Sequence, residues 1–391
     1  MGAYFDHAAT SPMPEPVLQR YAEVLREAGN PASTHGHGQA ARERLESARE
    51  RIAAGLGADA AETILTSGGT ESINLALKGM YWARRAAGAG PVILVAEGEH
   101  HATLEAAEWL RDTQGAELRW VGLDGSGRLD PATLSGALDA EESGSVALVS
   151  FMWANSEVGT IQPVAELCRI AERAGVPVHV DAVAALGQVP IDFHGVGAAA
   201  LSVSAHKIGG PVGIGALLLR RDVVAEPLQH GGNQQRFRSG TQNAAAAVAF
   251  ATALALTDAP DHDAHLARVR DALISGVRAA IPDAILRGAD PATPGARLPS
   301  NAHFTFPGCR GDSLLFLLDM AGVSASTGSA CQAGVDGVSH VLLALGVPAE
   351  EAAGALRFTV GPGTTMEEVD LLLAALPDAV DRARRAGTGN G

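Results

Sequence analysis

Through the middle of the chain, short and almost unbroken apolar runs recur: residues 92–95, 147–151, 176–180, 200–203 and 215–219. Runs of that length without polar alternation are the pattern of strands buried on both faces. Between them lie stretches whose apolar residues repeat at helical spacing, as in residues 164–174. Such alternation predicts an α/β fold, with a mainly parallel sheet covered by helices on both faces. Ligands of these sheets sit beyond the carboxyl ends of the strands, and several polar motifs fall where the runs stop. The most apolar long stretch, residues 244–256, is rich in Ala and shorter than the ~20 residues of a membrane span. It predicts a buried helix.

After Asp258 the texture changes. Residues 262–281 read as helix, Pro- and Gly-rich loops follow, and residues 301–306 alternate like a strand. Further helices are predicted over 312–321 and 366–386. We assign residues 14–258 to a large domain, and residues 1–13 with 259–391 to a smaller one. With 391 residues and 47% apolar composition the chain can fill both cores. Lys and Arg number 29 against 44 Asp and Glu, a formal charge of −15 that argues against nucleic acid and anionic membrane surfaces as partners. The first 14 residues lack the basic start and apolar run of a secretory signal. Three cysteines, Cys168, Cys309 and Cys331, without paired spacing suggest reduced thiols, neither a disulfide framework nor a zinc site. The expectation is a cytoplasmic enzyme.

Two segments carry chemistry. Thr66-Ser67-Gly68-Gly69-Thr70-Glu71-Ser72 precedes a helical run at 73–80. Small residues at a helix start expose backbone N–H groups toward a phosphate, although such a start is more often only a cap. In Ser202-Val203-Ser204-Ala205-His206-Lys207-Ile208-Gly209-Gly210-Pro211 a lysine follows a strand end directly. A desolvated lysine has a lowered pKa and suits Schiff-base chemistry; an exposed turn lysine is the plainer alternative. Upstream, Val178-His179-Val180-Asp181 ends a strand on a carboxylate. A carboxylate facing a pyridine nitrogen keeps it protonated and makes the ring a better electron sink. Phosphate-binding helix start, lysine and carboxylate on one sheet edge make a coherent pyridoxal 5'-phosphate site, which no one of them would make alone.

In these segments and in several others, the chain resembles the cysteine desulfurases of the class V aminotransferase superfamily, of the iron–sulfur-assembly type. The likeness begins at Tyr4-Phe5-Asp6-His7-Ala8-Ala9-Thr10 and Asn30-Pro31-Ala32-Ser33-Thr34-His35, and continues through Glu99-His100-His101-Ala102 and Trp153-Ala154-Asn155-Ser156-Glu157-Val158-Gly159. Arg238-Ser239-Gly240-Thr241, Ser326-Thr327-Gly328-Ser329-Ala330-Cys331 and Leu356-Arg357-Phe358 complete it. The resemblance implies a fold-type I pyridoxal-phosphate enzyme, with a seven-stranded type of sheet and a smaller α+β domain. Lys207 then carries the cofactor as a Schiff base and removes the substrate Cα proton, and Asp181 meets the pyridine nitrogen. Gly69, Thr70, Ser204 and His206 hold the phosphate, with Thr241 reaching in from a partner subunit of a homodimer. His100 stacks on the ring, Asn155 lies near its hydroxyl and the substrate carboxylate, and Arg357 clamps that carboxylate. Related desulfurases place a Gln three residues after the aspartate, and this chain has Ala184 there. The loss of one hydrogen bond to the cofactor costs on the order of 1 kcal/mol.

Cys331 lies in a segment of small residues and glycines that predicts a mobile surface loop. A free thiol there is a poor structural choice, because isolated cysteines prefer burial. The resemblance makes it the carrier of sulfur taken from L-cysteine as a persulfide, with L-alanine as the other product, and makes an iron–sulfur scaffold or another sulfur-acceptor protein the recipient. Cys331 is also a possible transient iron–sulfur ligand; no other metal site is expected. Cys168 falls in an amphipathic helix pattern and reads as core, and Cys309, in a Pro-Gly-Cys-Arg-Gly turn, has no assigned role. The alternatives are a selenocysteine lyase or aminotransferase on the same fold, or a non-catalytic scaffolding homologue.

Overall fold

The computed structural model describes residues 2–232, 234–328 and 338–388. After a two-residue strand β1 (Ala3–Tyr4), the chain builds a sheet from β2 (Thr63–Thr66), β3 (Val92–Ala96), β4 (Glu117–Val121), β5 (Val146–Met152), β6 (Val178–Asp181), β7 (Ala200–Ser204) and β8 (Gly215–Leu219). The order across this seven-stranded sheet is β2-β8-β7-β6-β5-β3-β4. Only β8 runs against its neighbours, so the other six strands all point their carboxyl ends at one edge. The apolar runs explain why both faces are covered. In β3, Leu94 and Ala96 pack into the core on one face, and Ile93 and Val95 into the core on the other. β8 divides in the same way, Ala216 and Leu218 against Leu217 and Leu219. Each such Leu or Ile contributes roughly 1.5–3 kcal/mol on burial.

The Ala-rich stretch forms the helix Ala244–Thr257, buried as its composition predicts. The helix Gly36–Gly55 comes close to it: a Cβ on Gly55 would stand 2.9 Å from Leu254. The strands that the apolar runs do not reveal are β2 and β4. β4 is an edge strand with only Val121 buried, so it lacks the continuous apolar signal.

A second core, separate from the two around the large sheet, gathers Phe5, Leu273, Val277, Phe304, Phe306, Leu314, Leu318, Phe358, Leu372 and Val380. It rests on the antiparallel strands β9 (Ile285–Arg287), β10 (Asn301–Thr305) and β12 (Ala355–Thr359), in the order β12-β10-β9. The helices His262–Ala280, Gly311–Met320 and Met366–Thr388 cover it. β1 joins this core by pairing in parallel with β11 (Val323–Ser324). The start of the chain therefore packs with its last third. No helix among the described residues is long and apolar enough to cross a membrane.

Candidate active site

Because β2, β3, β5, β6 and β7 end at the same edge, the residues that follow them meet there. Gly69 and Thr70 follow β2 and open a helical run to Ala86, α-helical to Asn74 with a π segment over Leu75–Gly79. Gly68, just before it, adopts φ 149° and ψ −174°, a region open essentially to glycine alone. His100 follows β3 and caps the helix His101–Gln114, its Nδ1 accepting the Ala102 N–H at 3.1 Å. Asp181 ends β6. Ser204 ends β7, and the single turn Ala205–Ile208 then presents His206 and Lys207.

These residues line one cavity of about 380 Å³, within the range of small-molecule sites. Gly69, Thr70, His100, Asp181, Ser204, His206 and Lys207 are all in its wall, and so is Arg357, carried in from β12 of the smaller sheet. Ala184 lines it too. Two expected residues stand elsewhere. Asn155 is buried behind the wall, where its Oδ1 accepts the N–H groups of Glu157 at 2.9 Å and Val158 at 3.0 Å, and its Nδ2 donates to Gly98 O at 3.2 Å. Thr241 borders a separate cavity with Asn30, Arg42 and Glu46. Cys331 lies outside the described residues; Gly328, three positions before it, lines the active-site cavity. Cys168 is buried and its thiol pushed up to about 12, chiefly by burial. It is core, as its helix pattern predicts. Cys309 is buried as well.

The electrostatics are those of a dry site. Burial raises the Asp181 carboxyl to about 6, against the pull of the Val183 N–H, 2.9 Å from Oδ1, and of Lys207. Burial, helped by Lys207, lowers His100 and His206 to about 4, so both rings are neutral near pH 7. Lys207 Nζ donates to Ala8 O, and to Ala9 O at 3.3 Å. Arg357, 5% exposed, donates from Nη2 to Asp6 Oδ1 at 2.8 Å and from Nη1 to Ser156 O at 3.1 Å. Its Nε is buried with no hydrogen-bond partner among the described residues. A guanidinium in the wall of a cavity suits an anionic ligand group.

Three carboxyl groups around the site have no role that motif reading supplies. Asp6 pairs with Arg357. Glu99, fully buried, accepts the Met152 N–H at 2.7 Å. Glu157, also buried, takes the Ser339 hydroxyl at 2.5 Å. Each stands within a sequence motif that the likeness rests on, but only the fold shows what it touches.

A glycine-opened helix start, a buried carboxylate and a lysine thus stand around one small cavity. The chain belongs to the class-V aminotransferase family, a family of pyridoxal-phosphate-dependent enzymes, whose sequence model matches residues 3–372. It is 51% identical over 388 residues to an IscS-like cysteine desulfurase of Mycobacterium tuberculosis, covering 98% of each chain. It is 40% identical over 385 residues to a cysteine desulfurase IscS of Dictyoglomus turgidum, covering 97% of this chain and 95% of the other. Among solved structures, a NifS-like protein superposes with a TM-score of 0.88 at 34% identity, over 98% of this chain and 100% of that one.

Proposed function

We propose that this enzyme is a cysteine desulfurase that converts L-cysteine to L-alanine and holds the sulfur as a persulfide on Cys331. The observation that carries this reading is the convergence of Lys207, Asp181, His100 and Arg357 on one cavity at the carboxyl edge of the sheet. Relatives named as cysteine desulfurases along nearly the whole chain favour it over transamination, selenocysteine cleavage or a scaffolding role.

Pyridoxal 5'-phosphate fits this site: Gly69, Thr70, Ser204 and His206 would hold its phosphate, Asp181 its pyridine nitrogen, and Lys207 its aldehyde carbon. Once bound, the group supplies an electron sink for carbanion chemistry at the substrate Cα. The protein's own groups do the rest. Arg357, in the cavity wall, receives the substrate carboxylate and fixes which face of Cα meets Lys207. The Lys207 amine takes the Cα proton, with the carbonyls of Ala8 and Ala9 beside it to accept the ammonium. His100, neutral at working pH, is a base within the same wall. The Cys331 thiolate then attacks the substrate sulfur. The S–S bond forms as the C–S bond breaks, the electron pair stays with carbon, and protonation yields alanine.

The reading extends to assembly and place. Residues 14–258 form the cofactor-binding domain, and residues 1–13 with 259–391 the smaller domain bearing Cys331, a division supported by the separate cores. The enzyme works in the cytoplasm as a homodimer, in which Thr241, which lines a different cavity from the active site of its own chain, completes the partner's phosphate site. Sulfur passes to an iron–sulfur scaffold or another acceptor protein.

The test is product release from L-cysteine with a thiol reductant, wild type against Cys331→Ala. Sulfide and alanine in equal amounts from the wild type, and none from a variant that keeps its cofactor absorbance, are expected. A yellow wild type that leaves cysteine untouched would overturn the assignment.

A further inference from the structure

The chain's first residues do more than join the second core. From Asp6 to Ser11 they run as a strap between the two halves of the active site. One end is tied to β12 by backbone: Thr359 N donates to Phe5 O at 2.8 Å, and Ala8 N donates to the Thr359 hydroxyl at 2.8 Å. The other end is tied to the lysine turn, with Ser11 N donating to His206 O at 3.0 Å. None of these ties uses the Asp6 side chain. That carboxylate reaches Arg357, 351 positions away in sequence, at 2.8 Å. Arg357 side-chain exposure is 6% and Asp6 side-chain exposure 22%, so the pair is largely out of water.

A guanidinium carries five N–H donors in a rigid plane. Asp6 and Ser156 O take up donors on its two terminal nitrogens, and the buried Nε is left unpartnered. A plane pinned at both terminal nitrogens cannot rotate about its stem, so Arg357 is held in one orientation in the cavity wall that it lines.

We propose that Asp6 is a positioning residue that locks the Arg357 guanidinium in the cavity wall, and so sets the enzyme's affinity for the α-carboxylate of its amino-acid substrate. The inference rests on the substrate reading above. It assigns Asp6 no contact with substrate: its influence runs through Arg357 alone. Two effects of removing Asp6 oppose one another. Losing its charge strengthens the attraction of Arg357 for an anion, and losing its oxygen frees the guanidinium to turn. In a site this buried the geometric effect dominates, because a bidentate carboxylate contact depends on alignment. Asp6→Asn separates the two, since it removes the charge and keeps an acceptor oxygen.

The experiment uses the cofactor-loaded enzyme and titrates wild type, Asp6→Ala and Asp6→Asn calorimetrically with L-alanine and with L-alaninamide, which lacks the carboxylate. Kinetics with L-cysteine accompany it. Asp6→Ala should weaken L-alanine binding about 10-fold and raise KM for cysteine by about the same factor, with kcat within about 2-fold of wild type. Alaninamide binding should not change, and Asp6→Asn should restore alanine affinity to within about 3-fold of wild type. Unchanged alanine binding in Asp6→Ala, or an equal loss for alanine and alaninamide, overturns the positioning role. A wild type that does not bind alanine overturns it too. A wild type that binds alanine and releases no sulfide from cysteine overturns the desulfurase reading instead, leaving the Asp6 comparison still readable.

Discussion

Glu99 stands beside His100 in the chain, and its side chain turns away from the cavity into the sheet. One oxygen accepts the Met152 N–H at 2.7 Å. Complete burial, followed by the nearby Asp181 charge, pushes its carboxyl well above the ordinary range. Asp181 is raised to about 6, which leaves it ionised at neutral pH. A neutral Glu99 would leave Asp181 as the anion that a protonated pyridine needs, and substitution tells the two forms of Glu99 apart. Glutamine has the shape of a neutral glutamic acid, so Glu99→Gln should change unfolding stability by less than about 1 kcal/mol at pH 7. Glu99→Ala strands the Met152 N–H and opens a void, at a cost of about 2–4 kcal/mol. Urea unfolding of the two variants measures this. Equal losses from both would mean that Glu99 is charged in the folded protein.

Elements, more than single residues, decide how the segment carrying Cys331 is anchored. On its downstream side Ser339 caps the short helix His340–Ala344, accepting the Leu342 N–H at 3.2 Å while donating its hydroxyl to Glu157 at 2.5 Å. Val341, Leu342 and Leu345 then pack on Val158, next to Glu157 in sequence. Upstream, Gly328 sits so close that an added Cβ would stand 3.2 Å from Glu157 Oε2 and 3.4 Å from His303 Nε2. Ser339→Ala removes a helix cap and a buried carboxyl's partner together, and should cost about 1–3 kcal/mol. Thermal unfolding of that variant checks it; a loss below the error of the measurement would show that neither bond carries weight. The strands that build the cavity were legible because each is an apolar run ending in a polar motif, and such ends share an edge in a parallel sheet. The start of the helix after β2 was not: residues 73–80 carry the apolar pattern, and the turn from Gly69 is helical with few apolar contacts to announce it. Lys207, Asp181 and Arg357 could be chosen by residue type and motif. Asp6, Glu99 and Glu157 act through contacts dozens to hundreds of residues away, and no local pattern encodes those.

At the scale of the whole molecule, buried titratable groups make stability depend on pH, with two sets pulling in opposite directions. Burial lowers His7, His100 and His206 to about 4, and His179 and His303 to about 3. His179 is held neutral across three strands, its two ring nitrogens 3.0 Å from Ser150 Oγ and 2.9 Å from Ser202 Oγ. The unfolded chain takes up protons on these rings below about pH 6.5. The folded chain does not until pH falls to about 4 or 3, so their contribution is intact above 6.5 and lost progressively on acidification. Asp181, Glu99 and Glu157 have raised folded values, and their contribution is full at low pH and declines as pH rises past the ordinary carboxylate range. Five rings against three carboxyls make the proton uptake of the unfolded state the larger. If the bound cofactor screens His100, His206 and Asp181, three rings still stand against two carboxyls. The expected outcome is a urea midpoint that falls between pH 7.5 and pH 5, on a slope that begins near the ordinary histidine pKa of about 6.5. A midpoint that rises over the same interval would mean that the buried carboxyls outweigh the histidines, and that these rings are charged inside the fold.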